Sequence, residues 1–362
     1  MSAPEEPNPD DPFQWVIDHY YQKKAPGSVD VAKLSLYGTV ADINDGDYQP
    51  GAEVALLPWL TKRGIRPQEL TIDQAYEYLD DLQSAFKVGT QHTRAGTCRK
   101  TYEILNERNV KGFDYNPFKH VLEDHPDVLD KKSEKGSDNT TIYEKNQLLD
   151  VIHEQHPVNQ VVSMTLLKTC RRIGGVLNLD FYDVHLDHPA ADWPVHQSIR
   201  DKPDHIHFGP GASQGEIHRD EVRHDGQKTI TTTPVPMDEE LKHFLIWYLQ
   251  MRRSSEHEGA FFINPRGVQH GERLKSPAFR DWLTPIAKDK GYFFGIRDPD
   301  NIRPHYFRHW TSTRMRDRVG SDLTDYIRGD KKSVSDTYNH YTERKARKWK
   351  KNVPKFHEAY LE

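Results

Sequence analysis

The stretch from Ile302 to Tyr341 constrains this chain more than any other. His305 and Arg308 stand three apart at the start of a helical pattern, with Phe307, Trp310 and Met315 as candidate core contacts. The first backbone N–H groups of a helix lack intrahelical partners, so the field there favours an anion. Gly320 breaks the pattern, Ser321 is the expected N-cap of a short helix, and Gly329 closes it. Tyr338 and Tyr341 follow, on either side of His340. A histidine and an arginine can neutralise charge on phosphoryl oxygens while a tyrosine attacks, which makes this set suited to a phosphodiester.

At 362 residues the chain is long enough for two domains. Hydrophobic residues make up 35%, and the mean hydropathy of −0.86 marks a highly charged chain that can still build cores. No apolar run is long enough for a bilayer, and the acidic start MSAPEEPNPDDP carries no readable signal peptide. The two cysteines, Cys98 and Cys170, lie far apart. That argues for a reducing cytoplasm and against a disulfide framework. A net charge of −5 sits awkwardly with nucleic-acid binding, which then requires basic residues to be concentrated locally. They are concentrated after Tyr341, where Arg344, Lys345, Arg347, Lys348, Lys350, Lys351 and Lys355 crowd together.

Residues 1–28 read as a loose acidic tail with a short apolar patch, and residues 29–122 as a helical domain. Leu34, Leu36 and Val40 begin one helix; Val54 to Leu60 make the next, stopped by Gly64; Ala75, Tyr76, Tyr78, Leu79 and Leu82 line a third. A fourth, from about Gln91 to Arg108, carries Arg94, Arg99 and Lys100, a stripe that is either a solvated face or a set of phosphate contacts. Asn116-Pro117-Phe118 closes the segment. Residues 123–141 are polar and turn-rich and read as a linker, leaving 142–362 as the second domain.

That second domain opens with a helix over 159–168, then Thr169-Cys170-Arg171-Arg172 and, further on, Asp183-Val184. Residues 185–222 hold six histidines. Their spacing matches no zinc signature and no cysteine joins them, so His205-Ile206-His207-Phe208 reads as a strand with polar and apolar faces, not as a metal site. Asp225-Gly226 is a tight-turn dipeptide, expected to form a hairpin with Lys228 and the β-rich run that ends at Val235-Pro236. A helix over 239–252, a strand-like run Ala260 to Asn264 and a helix around Phe279 to Ile286 lead back to the opening stretch.

These boxes together resemble the tyrosine recombinases, the phage-integrase family. His305-Tyr306-Phe307-Arg308-His309 is similar to the family's HxLRH box, and 169–184 to its arginine box TGxRxxELxxLxxxDv, which places the catalytic arginine at Arg172. The helical first half is similar in character to the family's core-binding domain. The resemblance implies a mainly α fold with a small β-sheet (α+β) in two domains. It implies catalytic roles for Arg172, Lys228, His305, Arg308 and a tyrosine, and DNA contacts from Arg94, Arg99, Lys100, Arg344 and Lys345. The implied partner is double-stranded DNA, with self-association into a tetramer on two DNA sites, no membrane, no cofactor and no metal. Two departures stand out: Gly175 replaces the box's acidic residue, and Asp330 replaces the His or Trp of the LGH-like box. An ionised aspartate cannot donate to a phosphate. Tyr338 and Tyr341 both remain candidate nucleophiles, with Tyr338 preferred because Tyr338-Asn339-His340 mirrors the family's ending. The activity implied is site-specific cutting and rejoining of DNA through a 3′-phosphotyrosyl link. The alternatives are a type IB topoisomerase-like nicking-resealing enzyme or an inactive DNA-binding relative.

Overall fold

The structure is a computed structural model. It describes residues 7–24, 26–39, 52–124, 129, 141–210, 214–226, 232–252, 259–294, 298, 300–329 and 342–356. The chain divides into two units, Met1–Asp138 and Asn139–Glu362.

The first unit is helical among its described residues: α1 (Pro12–His19), α2 (Pro26–Leu36), α3 (Leu56–Lys62), α4 (Ile72–Ala85), α5 (Val88–Glu107) and α6 (Pro117–Asp124). The expected loose tail is already ordered at Pro12. Asp11 caps α1 by accepting from Gln14 N, and its carboxylate also accepts from the Tyr37 hydroxyl at 2.8 Å. Phe13, Val16 and Ile17 are thereby buried in the unit's core. Apolar spacing outweighed the acidic composition. Thr71 and Gln74 form a reciprocal cap on α4. Asn116-Pro117-Phe118 opens a helix where a closing turn was expected: Asn116 accepts from Lys119 N at 3.1 Å and proline suits the first helical position. The buried Phe118 ring then stacks edge-on against Tyr78 and Tyr102.

The second unit surrounds one helix. Its elements are α7 (Lys145–His153), α8 (Pro157–Thr169), α9 (Ile173–Leu177), α10 (Glu239–Met251), α11 (Ser276–Asp289), α12 (Pro304–Val319), α13 (Ser321–Arg328) and α14 (Glu343–Asn352). Between α9 and α10 lie strands β1 (Val184–His185), β2 (His205–Phe208), β3 (Ile217–His218), β4 (Glu221–Val222) and β5 (Thr233–Pro236). Helix α8 is buried nearly all round, as its apolar residues on every side require, and α12, α10 and α7 pack on it. Buried Trp310 and Tyr306 fix the start of α12 against the chain before α7: Trp310 donates to Tyr143 O (2.7 Å) and Tyr306 to Thr141 O (2.7 Å).

The sheet runs β1-β2-β5, all antiparallel, with Val184 opposite Ile206 and Ile206 opposite Val235. Pro234 and Pro236 are tolerated because β5 is an edge strand. Strand β2 forms over the expected alternation of polar and apolar residues, and all four are buried, because His205 and His207 find partners in Pro203 O and Asp183. A tight two-residue turn falls at Arg219-Asp220, joining β3 to β4; the hairpin expected at Asp225-Gly226 runs on through Lys228 and lies largely outside the described residues. The run 260–264 makes isolated bridges and no strand. The residue capping α13 is Gly320, one before the expected Ser321.

Candidate active site

Helix α8 ends at Thr169, and Cys170 turns the chain in the left-handed region (φ 54°), where non-glycine residues are uncommon. The resembled arginine box has glycine there. Arg172 then serves as the N-cap residue of α9, with an exposed side chain. Arg308 rises from the first turns of α12 and is 1% exposed. Its Nη1 donates to Cys170 O (2.6 Å) and to Arg328 O (2.9 Å), so it ties the end of α8 to the end of α13. His305 lies one turn before it. Desolvation, followed by the fields of Arg308, Arg172, Arg303 and Arg328, holds the imidazole below its ordinary pKa. His305 is therefore neutral near pH 7, and four guanidiniums act on one ring. Positive charge from arginine thus acts on this ring, and such a field favours an anion.

Lys228, Asp330, Tyr338, His340 and Tyr341 lie outside the described residues. The described chain before Lys228 is well anchored. Asn178 donates to Asp225 O, and Asp225 accepts from Ser276 N at the start of α11 (2.8 Å). Gly226 O sits so close to α9 that a Cβ on Gly174 would come within 2.6 Å of it. Glycine at 174, two residues from Arg172, is what allows that approach.

Upstream of this anchor, the β3–β4 hairpin turns Ile217 (73% exposed) and Val222 (47% exposed) outward and is attached through charge. Arg219 clamps Asp183 with two parallel bonds (both 3.0 Å) and reaches Asp180 at 2.6 Å. Buried Arg223 donates to Asp180 (2.8 Å), and Arg273 bridges Asp180 and Glu221. Burial alone would raise the pKa of Asp183, but hydrogen bonds from His207 and Arg219 outweigh it and hold the carboxyl low. A depressed folded-state pKa gives stability that is present above the unfolded value, near ~4, and lost as pH falls through the folded one. Arg219→Gln should cost about 1–2 kcal/mol at pH 7, discounted for the partial exposure of Arg219. It should also move the acid loss of stability to higher pH. Denaturant unfolding of the two chains between pH 7 and pH 3 checks this, and parallel curves would contradict it.

The basic residues expected on DNA fall into two groups. Arg94 is 7% exposed with its guanidinium over the Phe86 ring (4.0 Å), so it is no surface contact. Arg99 pairs with Glu123 (2.8 Å) and Lys100 with Glu103 (2.7 Å), so the stripe on α5 is largely engaged in ion pairs. Arg344 is exposed and Lys345 half-buried on α14, whose other side buries Ala346 and Trp349. Sequence reasoning passed over Arg303 and Arg328, which both act on His305. Their only signal was proximity to the histidine–arginine box. Among the described residues no group of three His, Cys, Asp or Glu side chains could hold a metal ion, and no helix is long and apolar enough to cross a membrane.

No protein-family model matches the chain, and no curated protein does. Solved structures do. The Tn1549 transposon integrase, in complex with transposon right end DNA, superposes with a TM-score of 0.56 at 17% identity, covering 88% of this chain and 97% of that one. A lambda integrase dimer (residues 75–356) bound to a core site gives 0.51 at 10% identity over 79% and 88%. A lambda integrase tetramer bound to a Holliday junction gives 0.51 at 10% identity over 76% and 70%. The chain has the tyrosine-recombinase fold. Arg172 lies at the start of α9, and His305 and Arg308 lie on α12.

Proposed function

We propose that this chain is a site-specific DNA recombinase of the integrase type, cutting and rejoining DNA through a 3′-phosphotyrosyl intermediate. The reading is supported by the tyrosine-recombinase fold and by the order along it of Arg172, His305 and Arg308, with Arg308, Arg172, Arg303 and Arg328 all lowering the His305 pKa. Arg172 and Arg308 clamp the non-bridging oxygens of the scissile phosphate. His305, neutral in this field, exchanges a proton with the reacting oxygens. Tyr338 attacks phosphorus, Lys228 protonates the departing 5′-oxygen, and the covalent link conserves the bond energy for rejoining without ATP. Arginine and lysine supply the charge that metal nucleases take from ions, so no divalent ion enters this scheme.

Double-stranded DNA is the partner, contacted by Arg344 and Lys345. A tetramer on two DNA sites is the working assembly, in line with the lambda integrase tetramer on a Holliday junction. The protein acts in the cytoplasm, where the buried free thiols Cys98 and Cys170 stay reduced.

The test is covalent trapping on a nicked suicide duplex in excess EDTA. The wild-type chain forms an adduct with undiminished yield, Tyr338→Phe abolishes it and Tyr341→Phe does not. Loss only in the Tyr341 variant reassigns the nucleophile. An adduct surviving in the double variant, or one that requires a divalent ion, overturns the mechanism.

A further inference from the structure

Arg171 stands one place before the arginine of the box and contributes nothing to the scheme above, yet it is the more buried of the two, at 1% exposure. A guanidinium is expensive to desolvate and is retained in a core when it holds geometry. One face of Arg171 lies over the Phe208 ring of β2, with Cζ 4.7 Å from the centroid. Gly329 lies against the same group. A Cβ there would overlap Nη1 and come within 3.0 Å of Cζ. Gly329 is also left-handed (φ 68°), as the residue ending α13. The guanidinium is thus wedged between the sheet and the end of α13, one residue after Cys170, the left-handed end of α8.

Those two helix ends present the carbonyls that orient Arg308, Cys170 O at 2.6 Å and Arg328 O at 2.9 Å. Each carbonyl belongs to a residue adjacent to one side of the wedge, Cys170 beside Arg171 and Arg328 beside Gly329. A shift of either helix end moves an acceptor and swings the Arg308 head. Gly175 bears on this as well. The resembled box carries an acid there, whereas a Cβ on Gly175 would only meet the Phe208 ring, at 3.8 Å. The small residue at 175 thus leaves the Phe208 ring, which packs on Arg171, unobstructed.

We infer that Arg171, wedged between Phe208 and Gly329, is a positioning residue that sets the two carbonyls holding Arg308 toward the scissile phosphate. The inference rests on the recombinase reading of the site. It assigns to Arg171 no contact with DNA, and so separates the chemical step from binding.

Three variants test it in the full chain: Arg171→Met, Phe208→Leu and Gly329→Ala. They attack the wedge at its centre and from either side, so the result does not hang on one variant folding. Single-turnover adduct formation is measured on two suicide duplexes. One has an ordinary scissile phosphate and the other a methylphosphonate, in which a methyl group replaces one charged oxygen. The neutral linkage has less need of an arginine clamp. Cleavage of the phosphate should slow roughly 10- to 100-fold, cleavage of the methylphosphonate by less than about threefold, and the duplex Kd should hold within about twofold. Arg308→Ala gives the same signature in a larger degree. Equal slowing on both duplexes would mean a general loss of structure and would overturn the inference, as would unchanged cleavage of the phosphate by folded variants. A wild-type chain that forms no adduct on either duplex is a different result. It removes the recombinase reading, and this inference with it.

Discussion

On the proposed mechanism, Arg308→Ala lowers the single-turnover rate of DNA cleavage by about two to three orders of magnitude, and Arg308→Lys recovers at most a tenth of that loss. The first figure follows from removing one preorganised charged donor from a developing oxyanion, worth about 2.7–4 kcal/mol. The second follows from shape. Arg308 spends Nη1 on Cys170 O and Arg328 O. A lysine ammonium that serves those carbonyls cannot also offer two parallel donors to a phosphate. A second signature separates this from simple unfolding. After desolvation, Arg308 is the largest influence holding the His305 pKa down. Without that cation His305 protonates more readily, so in Arg308→Ala the residual rate should respond to pH at a higher value than in the wild-type chain. Rates within a factor of three of wild type would remove Arg308 from the mechanism.

Local signals were legible in the sequence and pairings were not. His305 and Arg308 sit in one turn of one helix, and Gly329 closes α13 by the same chemistry that marks any helix end, so each could be read within a short window. The apolar periodicity of α3, α4 and α5 was equally local. Pairings are decided by distant residues. Strand β2 shows its alternation of polar and apolar residues locally, but the buried partner of His207 is Asp183, 24 positions away. Gly226 lies against Gly174, a contact that no local pattern announced. Arg219 and Asp220 accept left-handed backbone (φ 51° and 62°) in a turn no dipeptide preference announces, because Arg219 is held from across the fold by Asp180 and Asp183. Arg171 is the sharpest case. It stands one residue off the motif's arginine, and its surroundings, the ring of Phe208 and the bare backbone of Gly329, come from far along the chain.

Lys168→Met destabilises the second unit by about 3–5 kcal/mol. Lys168 sits two residues before Cys170, on the helix that carries the arginine box, and its ammonium is buried. It donates to Asp238 (2.8 Å), to Glu240 and to Pro354 O. Those carboxylates have structural duties of their own. Asp238 caps α10 by accepting from Leu241 N (3.0 Å), and Glu240 accepts from Phe356 N (2.6 Å). Methionine fills the same volume but leaves two carboxylates buried beside each other, with the partly exposed Lys355 as the described cation still bonded to Asp238. Burial would raise the pKa of Asp238, and it is Lys168 and then Lys355 that hold it low. The sign of the pH dependence follows. In the wild-type chain this carboxylate adds stability that persists above the usual aspartate range and is lost only in acid. In Lys168→Met the deficit should be largest at pH 7 and above, and should shrink toward pH 5 as Asp238, without Lys168, takes up a proton. Hydrogen exchange of α8 and α10 amides in the intact chain gives the measurement. Exchange through opening of this unit should accelerate roughly a hundred- to several-thousand-fold at pH 7, once corrected for intrinsic exchange, and by clearly less at pH 5. An acceleration equal at both pH values would show that lost packing, and not stranded charge, is what Lys168 prevents.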